Sequence, residues 1–132
     1  MNRRAKRRAA DRDDGADLMR IRALLCRLEA ALDGIGNPRA ASIGALNTRF
    51  ATDPAAAWRE IDGNAWWAGA GSLAADCMAD NPGLTETQWQ AEVRALRALL
   101  IEIAELLRAR GQTNPGLSSW LLAFHNWNDS GV

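Results

Sequence analysis

The sequence is poor in residues that favour β-strands. It contains no tyrosine and only two phenylalanines, valine is almost absent, and alanine and leucine are abundant. β-Branched and aromatic residues are enriched in strands, whereas alanine and leucine are strong helix formers. No segment alternates apolar and polar residues for the length of a strand. The composition therefore predicts an all-α protein.

Cysteine and histidine are also scarce, with two cysteines and one histidine in 132 residues. Cys26 and Cys77 have neither the spacing of a zinc site nor the pattern of a disulfide framework. With a single histidine, a transition-metal site would have to rely on carboxylates. We therefore expect no metal, no cofactor and no catalytic set, which favours a non-enzymatic protein.

Long hydrophobic runs are missing. No apolar stretch approaches the roughly 20 residues that span a bilayer, and the basic residues near the N-terminus are not followed by the apolar stretch of a secretory signal. The composition, 48% hydrophobic and 24% charged, is that of a globular chain long enough for one domain without disulfides. We expect a soluble, cytoplasmic protein that makes no membrane contact.

The net charge of zero conceals an uneven distribution. Six basic residues and one acidic residue, Asp11, lie before residue 13, so the rest of the chain is negative on balance. The sequence predicts a basic, disordered arm over residues 1–14 and a single helical domain over residues 15–132. Such an arm is suited to nucleic acid, an anionic membrane or an acidic partner. The arm residues that would contact nucleic acid are Arg3, Arg4, Lys6, Arg7 and Arg8.

Local signals mark the helix boundaries. Three Asx-Pro pairs are typical helix starts, because the Asx side chain accepts free amide hydrogens and proline needs no partner there. Thr85 and Gln88 have the spacing of a capping box, and Gly34 and Gly111 are suited to left-handed helix ends. The three pairs are Asn37-Pro38, Asp53-Pro54 and Asn114-Pro115. The predicted fold is a compact bundle of five to six helices without a sheet. Two long helices, antiparallel or nearly so, lie at about 17–33 and 86–110, with shorter ones at about 38–51, 54–62, 72–80 and 115–127.

The first long helix has two apolar stripes. Five large aliphatic residues at helical spacing form a stripe that we expect to be buried: Leu18, Ile21, Leu25, Leu28 and Leu32. Met19, Ala23, Cys26 and Ala30 form a smaller stripe on roughly the opposite side. A helix that is apolar on two faces is either sandwiched within the fold or used to contact another chain.

Residues 66–72, WWAGAGS, form the most unusual local segment. Gly69 and Gly71 allow backbone angles closed to other residues, and Ser72 is a good N-cap. One interpretation is a tight helix–helix corner. The other is a ligand site, in which free amides hold a phosphate or carboxylate while the ring of Trp66 or Trp67 stacks on the ligand. Because adjacent side chains point in different directions, we expect both indoles to be hard to bury completely.

Three further residues are candidates for ligand or partner binding. Asp76 is four residues from Asp80 and is able to share a helix face with it, although a solvated face explains this pair as well. His125, one position off the apolar face of the last helix, is typical of a hydrogen-bonded edge residue more than of a catalytic base. Trp127 lies at the end of the apolar face of the last helix, and the sequence does not decide whether it is buried in the core or contacts a partner.

The stretch WWAGAGSLAADCM, followed by a long amphipathic helix that ends in RARG, resembles a set of uncharacterised small bacterial helical domains. In those domains an aromatic–Gly–Gly–x–Gly–Ser corner precedes a short helix with an acidic residue. Here Ala68 replaces the first glycine, while Gly69, Gly71, Ser72 and Asp76 match. The resemblance covers residues 18–111 and implies an all-α bacterial protein; by analogy, it implies an accessory or immunity-type binder.

The leading hypothesis is a non-enzymatic bacterial module that binds another protein, or a second copy of itself, through the 66–72 corner and neighbouring helix faces. Six tryptophans support it, because tryptophan is enriched at interface hot spots. One alternative is a nucleic-acid-associated protein that uses the arginine-rich arm. Another is a phosphate-bearing ligand site or minor hydrolase at Gly69 to Ser72, supported by Asp76 and His125.

Overall fold

The computed structural model describes the backbone of residues 3–69, 71–77, 83–111 and 114–130, and the side chains of that part from residue 14 onward. This part of the chain contains helices and no strand, which confirms the predicted all-α fold. The helices are α1 (Arg3–Gly34), α2 (Ala40–Thr52), α3 (Pro54–Ile61), α4 (Asn64–Trp67), α5 (Leu73–Asp76), α6 (Glu86–Ala109) and α7 (Pro115–Asp129).

Helix α1 begins earlier than predicted and ends differently. It starts at Arg3 rather than near Asp17. Gly34 is still helical, and the left-handed residue is Gly36, with φ +72°, so the prediction of a left-handed Gly34 is wrong. The N–H of the residue after Gly36 donates to the Leu32 carbonyl at 2.9 Å, the bond of a Schellman-type helix end. The side chains of residues 3–13 lie outside the described part, so the role of the arm stays a prediction.

Side-chain caps begin three helices as predicted. Asp53 accepts a backbone N–H of the first turn of α3 at 3.2 Å, and Asn114 does the same for α7 at 2.9 Å. At α6 the capping box is complete: Thr85 Oγ1 accepts the Gln88 N–H at 3.2 Å, and Gln88 Oε1 accepts the Thr85 N–H at 3.0 Å. Each of these caps joins residues that lie within four consecutive positions of the chain.

Helix α2 starts two residues later than predicted. The Asn37 side chain accepts the N–H of Arg39 at 2.9 Å and so closes a turn over Pro38. Arg39 takes the N-cap position without a side-chain cap, and the helix begins at Ala40. This Asx-Pro pair therefore forms a turn before the helix, because an Asx side chain bonds the backbone two residues ahead as readily as it caps.

Helices α1 and α6 form the centre of the core and run antiparallel, as predicted. Arg110, just beyond the end of α6, contacts Asp14 and Asp17 of α1 at 2.7 and 3.0 Å. Two turns earlier, Glu102 lies beside Arg20 and Arg27. Helix α2 packs on α1, and α7 packs on α6. The fully buried aliphatic side chains of the two central helices are Ile21, Leu25, Leu28, Leu32, Leu96, Leu100, Ile103 and Leu107.

Two short helices, α4 and α5, connect α3 to the segment before α6. The single turn α4 was not predicted, and the predicted helix over 72–80 is described only as far as Cys77. The first turn of α7 lies directly on α4. A Cβ added at Gly116 would overlap the carbonyl oxygen of Trp67 and lie 2.8 Å from its carbonyl carbon, so this approach requires glycine.

None of the helices within the described residues combines the length and the apolarity needed to cross a membrane.

Candidate functional site

Both indoles of the corner are buried. Trp66 is 6% exposed and Trp67 is fully buried, so the expectation that two adjacent indoles are hard to bury is wrong here. The reason is that α4 has neighbours on both sides. Trp66 lies with Ile43 of α2 and Leu73 of α5 in the wall of one depression. Trp67 donates from Nε1 to the Ile61 carbonyl at 2.8 Å.

The corner offers no free hydroxyl. Ser72 is 1% exposed; its Oγ donates to the Gly69 carbonyl at 2.8 Å and accepts the Ala75 N–H at 3.2 Å. Gly69 has φ +79° and allows the turn. The N-cap predicted at Ser72 is therefore present, and the hydroxyl holds the turn together instead of facing solvent.

Asp76 connects the corner to the loop between α1 and α2. Its Oδ2 accepts from Arg39 Nε at 2.9 Å and from Asn37 Nδ2 at 3.2 Å. The Arg39 guanidinium also donates to the Gly71 carbonyl at 3.0 Å. The two charged side chains are about one third exposed, so this cluster is a partly solvated cross-link, and we expect it to stabilise the fold only modestly. Asp80, the predicted companion of Asp76, lies outside the described residues.

Cys77 lies beneath this cluster and is 1% exposed. Burial, with a smaller contribution from the Asp76 charge, raises the pKa of the Cys77 thiol to about 12, while Arg39 acts in the opposite direction. The thiol is therefore neutral at physiological pH, and a neutral thiol is a poor nucleophile.

His125 and Trp127 lie on α7 and have partners of their own on α6. His125 Nε2 is 3.2 Å from Glu105 Oε1 in an exposed pair. Trp127 is half-buried, and the Arg97 guanidinium carbon lies 5.0 Å from its ring centroid, a cation–π distance. Arg97 itself is 8% exposed, and burial followed by the charge of Arg94 lowers the pKa of its guanidinium. Asp76 and His125 thus serve different contacts and form no catalytic pair.

Arg110, just beyond the C-terminal end of α6, makes contacts that the sequence did not predict. The Arg110 guanidinium carbon lies 3.9 Å from the centroid of the Trp58 ring while the same group pairs with Asp14 and Asp17. Arg110, Trp58 and Asp14 line a shallow depression of about 560 Å³. No sequence signal near Arg110 predicts this contact, because its partners are distant in the chain. No three His, Cys, Asp or Glu side chains of the described residues are grouped to hold a metal.

The smaller apolar stripe of α1 is exposed to solvent, in contrast to the corner. We call it the outer stripe; its members are Met19, Ala23, Cys26 and Ala30. All four are exposed, and Met19 is 76% exposed. The opposite stripe of the same helix packs into the core. A helix that is apolar on two faces is either sandwiched within the fold or used to contact another chain. Within the described part of the chain nothing covers the outer stripe, so α1 is not sandwiched there.

A groove adjoins the C-terminal half of the outer stripe, between α1 and the start of α2. Its volume is about 430 Å³. We call it the α1/α2 groove; its lining residues are Cys26, Glu29, Ala30, Asp33, Ala40 and Ala41. The lining combines four small side chains with two carboxylates. This groove was not predicted, because it requires the position of α2 relative to α1.

The part of the chain that the structure describes thus forms an all-α helical bundle in which the outer stripe of α1 is uncovered. In comparisons with protein-family models, curated proteins and solved structures, none matched this chain. The resemblance to small bacterial helical domains therefore stays a prediction.

Proposed function

We propose that this chain is a non-enzymatic protein-binding module, of the accessory, regulatory or immunity type, that binds another protein through the outer stripe of α1. The observation that carries the proposal is the 76% exposure of Met19 on a continuous apolar stripe. Burying a methionine side chain is worth roughly 1.5–3 kcal/mol, and contiguous exposed apolar surface is typical of interaction sites. Single apolar residues scattered over a surface are common and would not support a binding function. The four residues of the outer stripe lie together on one helix face, and they do support it.

The residues that an enzyme would use support a non-enzymatic interpretation. The Ser72 hydroxyl is bonded within its own turn, and the Cys77 thiol is buried with a raised pKa. His125 pairs with Glu105 away from both. A general base must lie within hydrogen-bond reach of its nucleophile, and none of these three side chains has such a companion among the described contacts.

Site-specific photo-crosslinking tests the proposal. A benzophenone-bearing residue replaces Met19 on the outer stripe or, as the matched control, Leu122, the exposed large apolar residue of α7. Irradiation of each protein in a lysate of the source cell, followed by mass spectrometry of the adducts, compares the two positions. We expect adducts with a protein, this chain or another, from position 19 and not from position 122. Equal yields at both positions, or none at position 19, would contradict the proposal.

A further inference from the structure

The partner of the outer stripe follows from the arrangement of this surface, if the proposed function holds. We propose that it is a second copy of this chain, with the two α1 helices packed antiparallel about a two-fold axis near the level of residues 24–25. An interface around a two-fold axis must be self-complementary, because the same patch is used on both copies. The outer stripe and the α1/α2 groove meet this condition in shape and in charge.

The shape argument rests on Met19 and the α1/α2 groove. Met19 projects from the N-terminal half of the stripe, and Ala30 lies in the wall of the groove at the C-terminal half. Eleven residues separate them, which is about 16 Å along a helix at 1.5 Å per residue. When two copies run antiparallel about the midpoint, each Met19 reaches the groove of the other copy. Methionine is unbranched and fills irregular apolar spaces well.

The middle of the stripe allows the helices to approach closely. Ala23 and Cys26 lie between Met19 and the groove, and both are small. Helix axes approach to about 8 Å where the contact residues are small. A large side chain at either position would hold the copies apart and keep Met19 out of the groove.

The charge argument concerns the flank of α1 that faces α2. Arg22 lies on this flank toward the N-terminal half, and Glu29 and Asp33 lie on it toward the C-terminal half. Within the described residues, none of the three forms an ion pair, and Arg22 donates to the Asn47 side chain at 3.0 Å. Antiparallel pairing about this axis places the same flank of both copies together and so brings Arg22 beside Glu29 of the partner subunit. Complementary charge fixes register more than it adds affinity.

On the opposite flank, two arginines face the partner, and one carboxylate offsets part of their charge. Arg20 and Arg27 both lie beside Glu102 of α6, at 3.5 and 3.7 Å. Repulsion between the two copies on this flank is therefore reduced. The other large apolar side chain that is exposed in the described part of the chain, Leu122 at 64% exposure, lies between the exposed polar residues Ser118 and Asn126 on α7.

The interface is small, since it consists of one helix face and one groove per copy. Interfaces that bury less than about 1,200 Å² in total are weak or transient. We therefore expect a concentration-dependent dimer with a dissociation constant of about 10 µM, within an order of magnitude.

Sedimentation velocity of the full chain from low to high micromolar concentration tests the dimer. We expect Met19→Gln to weaken dimerisation about tenfold and Leu122→Gln, the matched control, to leave it unchanged. Ala23→Glu is a second variant that places a charge on the axis. Both positions are exposed, and circular dichroism verifies that each variant is folded. A dimer that survives both outer-stripe changes would overturn the proposal.

Charge reversal tests the orientation. Arg22→Glu and Glu29→Arg should each weaken the dimer, and the double variant should restore it, because antiparallel pairing joins these two positions. Single losses without restoration would overturn the antiparallel register.

The photo-crosslinking experiment separates this inference from the proposed function. A wild-type chain that stays monomeric while position 19 forms adducts with a different protein overturns self-pairing and supports the proposed function. A monomeric chain without any adduct at position 19 overturns both.

Discussion

Gly116→Ala measures how far the 66–72 corner depends on its contact with α7. The added Cβ would overlap the Trp67 carbonyl oxygen and lie 2.8 Å from the carbonyl carbon. These are backbone atoms, which do not rotate away as a side chain does. The first turn of α7 would have to move outward, and Leu117, which is 1% exposed, would lose packing with it.

The magnitude follows from two opposing effects. Overpacking of a tight core site costs about 1–3 kcal/mol and occasionally more, and a clash with backbone belongs at the upper end. Replacing glycine by alanine in a helix raises the free energy of unfolding by about 0.5–1 kcal/mol, because alanine has the higher helix propensity and makes the unfolded chain less flexible. The net loss of unfolding free energy should be about 2 kcal/mol.

Urea unfolding monitored by tryptophan fluorescence provides the measurement. Gly71→Ala is the matched control within the corner, because nothing lies within 4 Å of its added Cβ and its φ is not positive; we expect a change within about 0.5 kcal/mol. Both positions gain a methyl group, but only Gly116 lies in a helix, so the difference between the two variants equals the cost of the clash less the propensity gain at Gly116. A Gly116→Ala protein as stable as the Gly71→Ala protein would refute the reasoning.

Four further predictions concern the corner, the two cysteines and the basic arm. Trp67→Phe should lower the unfolding free energy by about 2 kcal/mol, measured in urea, since it removes the bond to the buried Ile61 carbonyl and leaves a cavity; an unchanged midpoint would contradict this. Iodoacetamide at pH 8 should label the exposed Cys26 and spare Cys77 in mass spectra of the folded protein. Because the folded pKa of Cys77 is raised from 9.0 to about 12, its thiol should cost stability as the pH rises above 9, and a Cys77→Ala comparison of unfolding at pH 8 and 10 checks the sign. If the basic arm binds nucleic acid, deletion of residues 1–12 should abolish binding to a DNA duplex in fluorescence anisotropy, and wild-type affinity should fall steeply with salt; binding that survives the deletion would exclude the arm.

The parts of the fold that were predicted from the sequence are those with local causes. The capping box of Thr85 and Gln88 requires four consecutive residues, and the side-chain cap of Asp53 requires a similar span. The long stripe of α1 follows from helical periodicity alone. Each of these features depends only on residues of one helix and its cap, so a short stretch of sequence is enough to predict it.

The features that were missed depend on packing between distant segments. The burial of Trp66 and Trp67 requires α2 on one side of α4 and the Gly116 approach on the other. Arg39, which joins Asp76 to the Gly71 carbonyl, carries no motif. The end of α1 is a smaller example. Gly34 and Gly36 are both able to adopt the left-handed conformation that ends a helix, and the sequence alone does not show that Gly36 is the one that does.

The corner and the outer stripe can be told apart by opposite responses to mutation. A residue such as Trp67, fully buried and bonded to Ile61, contributes to folding within one chain, so its replacement should lower stability. Met19 is 76% exposed, so Met19→Gln should change the unfolding free energy by no more than about 0.5 kcal/mol while it weakens association. Unfolding must be measured well below the dimer dissociation constant, because a dimer is itself stabilised by mass action. A Met19→Gln protein that loses stability at such dilution would show that the outer stripe contributes to the fold of the single chain, and the proposed interface would lose its basis.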